Sequence, residues 1–274
     1  MDLRYVNSKG VELNLTQWPY MYSSGDVYNF VWKYRMAEMN SYHVSEFYKE
    51  PVEVPIKISI TADTRDEFVD ALDRLYETIE TDVVNMIPGK LYVGDMYINC
   101  YIYGSKKAKF NSGIEFMFNE LRVVSENPFW IRESKIAYER KQASDTGYLD
   151  YPYDYPYDYS PNDMAVYLEN TEVMPADFKM VIQGPCENPQ VTIGQNKCQI
   201  MTTLSSYEYI VLNSMDRTIY KVSSTGTVTN VFESLNRNYE NFDKIPQGNH
   251  IISINGTFKM EITMYMKRSE PRWT

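Results

Sequence analysis

Histidine is nearly absent. The chain has two in 274 residues, His43 and His250, and they fall in different predicted domains, which argues against a histidine metal pair or a Ser-His-Asp arrangement. Cysteine is scarce as well. Cys100, Cys186 and Cys198 are odd in number and have no CxxC spacing, a pattern of free thiols in a reducing cytoplasm and not of a zinc site. No Walker loop, dinucleotide glycine pattern, G-x-S-x-G or H-E-x-x-H occurs. No Asp or Glu pair sits in a stretch that reads as a cleft, so glycoside hydrolysis finds no support. The expectation is of no catalytic residue, no bound metal and no cofactor. Nothing at the N-terminus has the basic-then-apolar layout of a signal peptide, and no apolar run approaches the roughly 20 residues of a membrane span, so a soluble, non-secreted chain is expected. Positive charge is also in short supply: 27 Lys and Arg stand against 37 Asp and Glu, a formal charge of −10. Binding nucleic acid requires clustered cations that displace counterions, and this balance argues against it.

What is abundant is tyrosine, 25 residues within an aromatic content of 15%. Tyrosine suits β-surfaces and interfaces, so the excess favours a β-rich protein with large contact areas, or simply β-sheets that use tyrosine. The most legible stretch runs from Pro51 to Tyr103. Val52, Val54, Ile56, Ile58 and Ile60 alternate with polar residues, the period of a half-buried strand, and Pro55 places its end of that strand at a sheet edge. The period then changes. Phe68, Val69, Leu72, Leu75, Tyr76, Ile79 and Val83 recur at three and four residues, and Thr64 with Glu67 forms a capping box, so a helix is predicted over about 64–80. Burying that stripe is worth about 1.5–3 kcal/mol per large side chain, so the helix should lie on a sheet with Arg65, Asp66, Asp70, Asp73, Arg74 and Glu77 in water. Pro88-Gly89 turns the chain, and Lys90–Tyr103 reads as a hairpin hinged at Gly94-Asp95.

On either side, Met1–Leu15 reads as a hairpin at the outside of the first domain. Strands are predicted over Val27–Met36 and Val44–Tyr48, with a loop near Ser23-Ser24-Gly25. Ala108–Ser125 supplies another strand pair, in which Ile114, Phe116 and Phe118 face one way. The composition shifts at Asn127-Pro128-Phe129-Trp130. Residues 143–163 are poor in aliphatics and hold the one repeat, Tyr151 to Tyr159, in which regularly placed prolines favour extended backbone. A connector or protein-contact arm is the simplest reading of it. Sugar contact through Tyr153, Tyr155 and Tyr157 with Asp154 and Asp158 ranks second, and calcium at those acids third, since a proline-locked strand splays its side chains apart. From Met164 onward short strands and turns follow one another in the manner of a β-sandwich. The predicted architecture is mainly β with one α-helix. A first β-domain, a barrel or sandwich carrying the helix, spans 1–142, a Tyr/Pro/Asp-rich connector 143–163, and a C-terminal sandwich 164–274.

The order of these motifs resembles a known family. Thr64 and its helix, Asp82-Val83, Pro88-Gly89-Lys90-Leu91-Tyr92 and Tyr97-Ile98-Asn99-Cys100-Tyr101, closed by Asn127-Pro128-Phe129-Trp130, are similar to the N-terminal domain of distal tail (Dit) proteins of siphophages and prophages. Ile182-Gln183-Gly184-Pro185, Leu212-Asn213-Ser214 and Phe242 through Asn249 resemble its C-terminal half. The resemblance implies a structural virion protein at the tail tip, assembled in the bacterial host cytoplasm. Its N-terminal domain would be tail-tube-like and form a hexameric ring, and its C-terminal domain would be a galectin-like sandwich. The implied partners are further copies of itself, the tail-tube protein, tail-tip or tail-associated proteins, and receptor-binding or baseplate proteins. No membrane and no nucleic-acid binding are implied, although DNA would pass through the ring, where an acidic wall would repel it. The Tyr-Pro-Tyr-Asp run has no counterpart in the family pattern. The second reading of the chain is a carbohydrate-binding module that grips cell-wall glycans through the C-terminal sandwich; an enzyme ranks last.

Overall fold

The structure, a computed structural model, describes residues 2–39, 41–108, 115–139 and 166–273. The chain is mainly β, with one α-helix among the described residues, and separates into two compact units: Met1–Arg132 with Arg268–Thr274, and Glu133–Lys267.

In order, unit 1 has strands β1 (Leu3–Val6), β2 (Glu12–Asn14), β3 (Tyr20–Gly25), β4 (Lys33–Met39), β5 (Ser41–Tyr48) and β6 (Val52–Thr61), then helix α1 (Arg65–Asn85). Strands β7 (Gly89–Val93), β8 (Met96–Ala108), β9 (Phe116–Ser125) and the start of β10 (Trp130–Glu139) follow. Strand β8 serves two sheets. Its first half pairs with β7, which continues to β1 and β2, and its second half pairs with β9, which continues to β6 and β3. The change of partner falls between Cys100 and Tyr101, and a register shift between Ile102 and Gly104 marks a bulge just beyond it. Inward residues of both sheets, among them Ile56, Ile58, Ile60, Leu91, Ile98 and Leu121, form one buried cluster with the helix residues Phe68, Leu75 and Ile79.

The predicted hairpins stand where expected. Leu3–Val6 pairs with Glu12–Asn14, and β2 ends its sheet. Val93 opposes Met96 across Gly94-Asp95, and Gly94 takes φ +58°, the left-handed first position of a two-residue turn. Pro55 lies in the part of β6 that pairs with β9 alone, since β3 joins β6 only from Ile56 onward. Two readings of this region change. Ser23-Ser24-Gly25 ends strand β3, with Ser23 Oγ donating to Lys57 O at 3.1 Å, and the loop comes after it; β4 starts at Lys33 and not at Val27. Small polar residues read as loop in sequence, yet here a bulge between Tyr22 and Ser24 keeps them in register with β6.

The capping box forms as predicted: the Glu67 amide donates to Thr64 Oγ1, and the Thr64 amide donates to Glu67 Oε2. The helix runs five residues past the predicted end, to Asn85, and closes on Met86 in the left-handed region. Its buried face is rotated from the predicted stripe. Phe68, Ala71, Leu75, Thr78, Ile79 and Asp82 are buried, while Val69 and Tyr76 are exposed. Polar contacts cause the rotation. Asp82, fully buried, accepts from Tyr5 Oη at 2.5 Å and from the Ser8 amide at 2.8 Å, and Asn7 Nδ2 donates to Thr78 O at 3.3 Å. These bonds bolt the helix to the first hairpin. Gly89 leaves room for the bolt, because a Cβ there would lie 2.5 Å from Asp82 Oδ2.

Unit 2 takes the end of β10 and strands β11 (Val166–Asn170), β12 (Asp177–Gln183), β13 (Cys186–Glu187), β14 (Gln190–Ile193), β15 (Asn196–Gln199) and β16 (Thr203–Leu204). It continues with β17 (Tyr209–Asn213), β18 (Thr218–Val222), β19 (Val228–Asn230), β20 (Gly248–Ile254) and β21 (Lys259–Arg268). One sheet runs β19-β18-β17-β12-β21, and a second β11-β20-β14-β15. Met180, Ile182, Leu212 and Met264 of the first meet Leu168, Val191 and Ile252 of the second in one core, a sandwich. Between β15 and β16 Ile200 bridges to Leu235, and the two strands find separate partners.

Cys100 and Cys198 are buried, and desolvation pushes each thiol up to about 12; Cys186 is half-buried, its thiol pushed up to about 11. A thiol reagent at pH 8 is therefore expected to modify Cys186 first and the other two only on unfolding. One common rate for all three in the folded protein would contradict this burial. The same shifts give a pH dependence. Between about pH 9 and 12 the unfolded chain releases thiol protons that the folded chain keeps, so it binds fewer protons and stability falls as pH rises. Tyr20, pushed up to about 12 by burial, acts in the same sense, and Lys49, lowered to about 8, acts oppositely up to its unfolded value of 10.5. The urea midpoint should fall from pH 9 to pH 11; a rising midpoint would mean that these groups are accessible.

Candidate assembly interface

The sequence-predicted contact residues Tyr153, Asp154, Tyr155, Tyr157 and Asp158, with the whole of 143–163, lie outside the described residues. The two histidines are not brought together. His43 sits on β5, in unit 1, and His250 on β20, in unit 2, where its Nε2 is 2.9 Å from Pro246 O. Among the described residues no group of three or more His, Cys, Asp or Glu is placed to hold a metal, and no helix is long and apolar enough to cross a membrane.

The feature that calls for a partner is the hairpin of β4 and β5. Among the described residues its two strands pair only with each other. An isolated two-stranded ribbon is marginal in water and needs a third strand or a packed face. The register explains which face is left open. Tyr34 opposes Phe47 and, past a bulge, Met36 opposes Val44, so these four alternate onto one side. All four are exposed, Tyr34 by 59% and Phe47 by 61%, and among the described residues their only ring contact is the edge-on pair of Tyr34 with Phe47 at 6.4 Å. The other side is charged: Arg35 Nη1 meets Glu46 Oε2 at 3.0 Å, and the Arg35 guanidinium lies 5.0 Å from the Tyr48 ring centroid. The hairpin is an amphipathic arm whose apolar side has no cover within the described residues.

Its root, by contrast, is fastened. Lys33 pairs with Glu50. Lys49, the residue after β5, sends its ammonium among the rings of Phe129, Trp32 and Phe30, at 4.6, 5.4 and 5.6 Å from their centroids, and donates to Pro128 O at 2.9 Å. Beside it lies a cleft of about 330 Å³, lined by Val27, Val54, Leu91, Cys100 and Trp130. A second exposed apolar group, Val84, Met86 and Ile87 with Tyr76, stands at the C-terminal end of α1. The predicted strands Val27–Met36 and Val44–Tyr48 overlap both strands of the arm. That these find no third partner among the described residues is not legible in the sequence, because pairing is set by the register of β3, β6 and β9, which no local pattern records.

The fold of this two-unit β-chain is similar to that of solved phage tail and baseplate proteins. The crystal structure of the SPP1 Dit protein, described as a paradigm of the hub adsorption apparatus of phages infecting Gram-positive bacteria, matches with a TM-score of 0.61 over 97% of this chain and 98% of that chain, at 10% identity. A chain of the phage P2 baseplate in its activated conformation with Ca matches at 0.63 over 99% and 100%, at 11% identity, and a chain of the Sr form at 0.63 over 98% and 99%, also at 11%. No protein-family model and no curated protein matches the sequence.

Proposed function

We propose that this chain is a structural hub of a phage tail tip, a non-enzymatic part of the virion that self-associates through the β4–β5 arm and holds other tail proteins in place. The observation that carries it is the arm. A ribbon with four exposed apolar side chains on one side and no third strand among the described residues is a surface built to be covered, and the Dit-type fold of nearly the whole chain supplies the setting. A ring of identical subunits is the economical way to cover it, since a heterologous contact between arm and neighbour closes on itself. In this reading unit 1 forms the ring, a hexamer, beneath the tail-tube protein, and unit 2, as a galectin-like sandwich, faces receptor-binding or baseplate proteins. Assembly takes place in the host cytoplasm.

A glycan-binding role for unit 2 is not favoured. All four tryptophans of the chain, Trp18, Trp32, Trp130 and Trp273, belong to unit 1. On the outer side of the β11-β20-β14-β15 sheet the large exposed residues are Tyr167 and its register partner Ile251, one ring beside an aliphatic side chain. Sugar-stacking sites depend on more ring surface than that. Light scattering of the purified chain, followed by negative-stain imaging with the tail-tube protein, tests the hub reading: closed rings that cap tubes are expected. A chain that stays monomeric and leaves tubes uncapped overturns it.

A further inference from the structure

The backbone of the arm enters and leaves unit 1 at Trp32 and Lys49, the residues flanking the first register pair Lys33 and Tyr48, with the Lys33–Glu50 ion pair beside them. Two single-chain crossings make a hinge unless something braces them. The bracing is the cage around Lys49. Trp32 and Phe129 meet edge-on at 5.8 Å, the ammonium lies against both and against Phe30, and its donors go to Pro128 O at 2.9 Å and, more loosely, to Ser269 O at 3.5 Å. No carboxylate among the described residues pairs with it. Residues 128–129 belong to the turn before β10, and Ser269 to the C-terminal segment of unit 1. That segment is itself pinned: Trp273 stacks on Tyr28 with centroids 4.0 Å apart and planes at 14°, and Pro271 is buried. Four separate stretches of chain, 28–32, 49, 128–129 and 269–273, thus converge at the base of the arm.

We propose that Lys49 is a positioning residue whose caged ammonium fixes the direction in which the β4–β5 arm leaves unit 1, with the C-terminal segment as the clamp that completes the cage. A cation over aromatic faces is the right device here, because it holds several rings at once and its attraction strengthens as water is excluded. Burial lowers the Lys49 ammonium to about 8, so it is still mostly protonated at pH 7, where the rings and the Pro128 carbonyl meet a cation. What the cage does for assembly rests on the reading of the arm as the self-association element; what it does for the arm does not.

The test uses the full chain with Lys49→Met, which keeps the stem and removes the charge, Lys49→Arg, which restores a cation that stacks on rings, and a truncation after Arg268. Hydrogen exchange of the amides of β4 and β5, read by mass spectrometry at pH 7, reports the arm directly. Lys49→Met is expected to speed that exchange about tenfold, the loss of one desolvated cation–π contact, while core strands β6 and β9 stay protected. Lys49→Arg should recover most of the protection, and truncation should match Lys49→Met and add little to it, since both open one cage. Unchanged exchange in Lys49→Met, or full additivity with the truncation, overturns the proposal. Should Lys49→Met fail to fold, Trp273→Ala, which removes only the outer pin, carries the same expectation and the same refutation. Light scattering on these proteins separates the two readings: a loosened arm with intact self-association leaves the cage standing and counts against the arm as the assembling element.

Discussion

Tyr34→Asp combined with Phe47→Asp is expected to yield a folded monomer. In the free chain both rings stand in water, 59% and 61% exposed, so the core of unit 1 is untouched, and the cost, about 1 kcal/mol for the lost cross-strand pair and the two facing carboxylates, falls on the ribbon itself. In an assembly that covers the apolar side, each aspartate would carry an unpaired carboxylate into a dry contact and remove an aromatic anchor. Central aromatic anchors cost at least about 2 kcal/mol on truncation, so the pair should weaken self-association by about a thousandfold or more. Light scattering over a concentration series reads the loss, and an unchanged thermal midpoint shows that the fold survives. Glu46→Gln, on the charged side of the same strand, should leave association within a few fold, because exposed ion pairs contribute about 1 kcal/mol or less. If the double variant assembles like the parent chain, the contact lies elsewhere, and the group at the end of α1, Tyr76 with Val84, Met86 and Ile87, becomes the first surface to substitute.

The second large effect concerns stability. Asp82→Ala is expected to cost unit 1 about 3 kcal/mol. Its side chain is fully buried and accepts from Tyr5 Oη and the Ser8 amide. Removing it leaves the buried Tyr5 hydroxyl without an acceptor at about 1–3 kcal/mol and strips the partly buried Ser8 amide of its partner, apart from the space it vacates. Tyr5→Phe should cost somewhat less, since only one acceptor lone pair is stranded. The double variant should cost clearly less than the sum, because the groups serve one bond. Burial and the neighbouring carboxylate push the Tyr5 phenol far up from its usual range, which keeps its proton in place on the bond throughout the accessible pH scale. Chemical unfolding followed by tryptophan fluorescence measures these differences, and all four tryptophans report on unit 1. Losses under about 1 kcal/mol for Asp82→Ala would mean that the helix is held by its apolar contacts alone.

Those two substitutions also mark the limit of what the sequence discloses. Alternation from Val52 to Ile60, the Thr64–Glu67 box and the Gly94-Asp95 turn are local statements, encoded within a few residues, and each forms as read. The face of α1 was read from large apolar side chains. The true face includes Thr78 and Asp82, whose partners Asn7, Tyr5 and Ser8 lie more than seventy residues away. A buried aspartate is silent in a hydrophobicity pattern, since what makes its burial tolerable is a distant hydroxyl and amide. The arm was hidden for a related reason. Tyr34, Met36, Val44 and Phe47 look like one side of an ordinary half-buried sheet, and only the pairing of β6 with β3 and β9, which leaves no strand for β4 or β5, turns that side outward. The cage at Lys49 draws on residues as far apart as Phe30 and Ser269 and could not be anticipated from any window of sequence.

One consequence follows from the way unit 1 is assembled out of Met1–Arg132 and Arg268–Thr274. A ribosome delivers the second piece only after all of Glu133–Lys267, so while the nascent chain grows the first unit waits with its clamp missing and its arm unbraced, and the intervening sandwich can finish first. If the arm is the joining element, one that is properly aimed only once Arg268–Thr274 are in place would be kept from engaging a neighbour before then, and subunit joining would follow the arrival of that stretch.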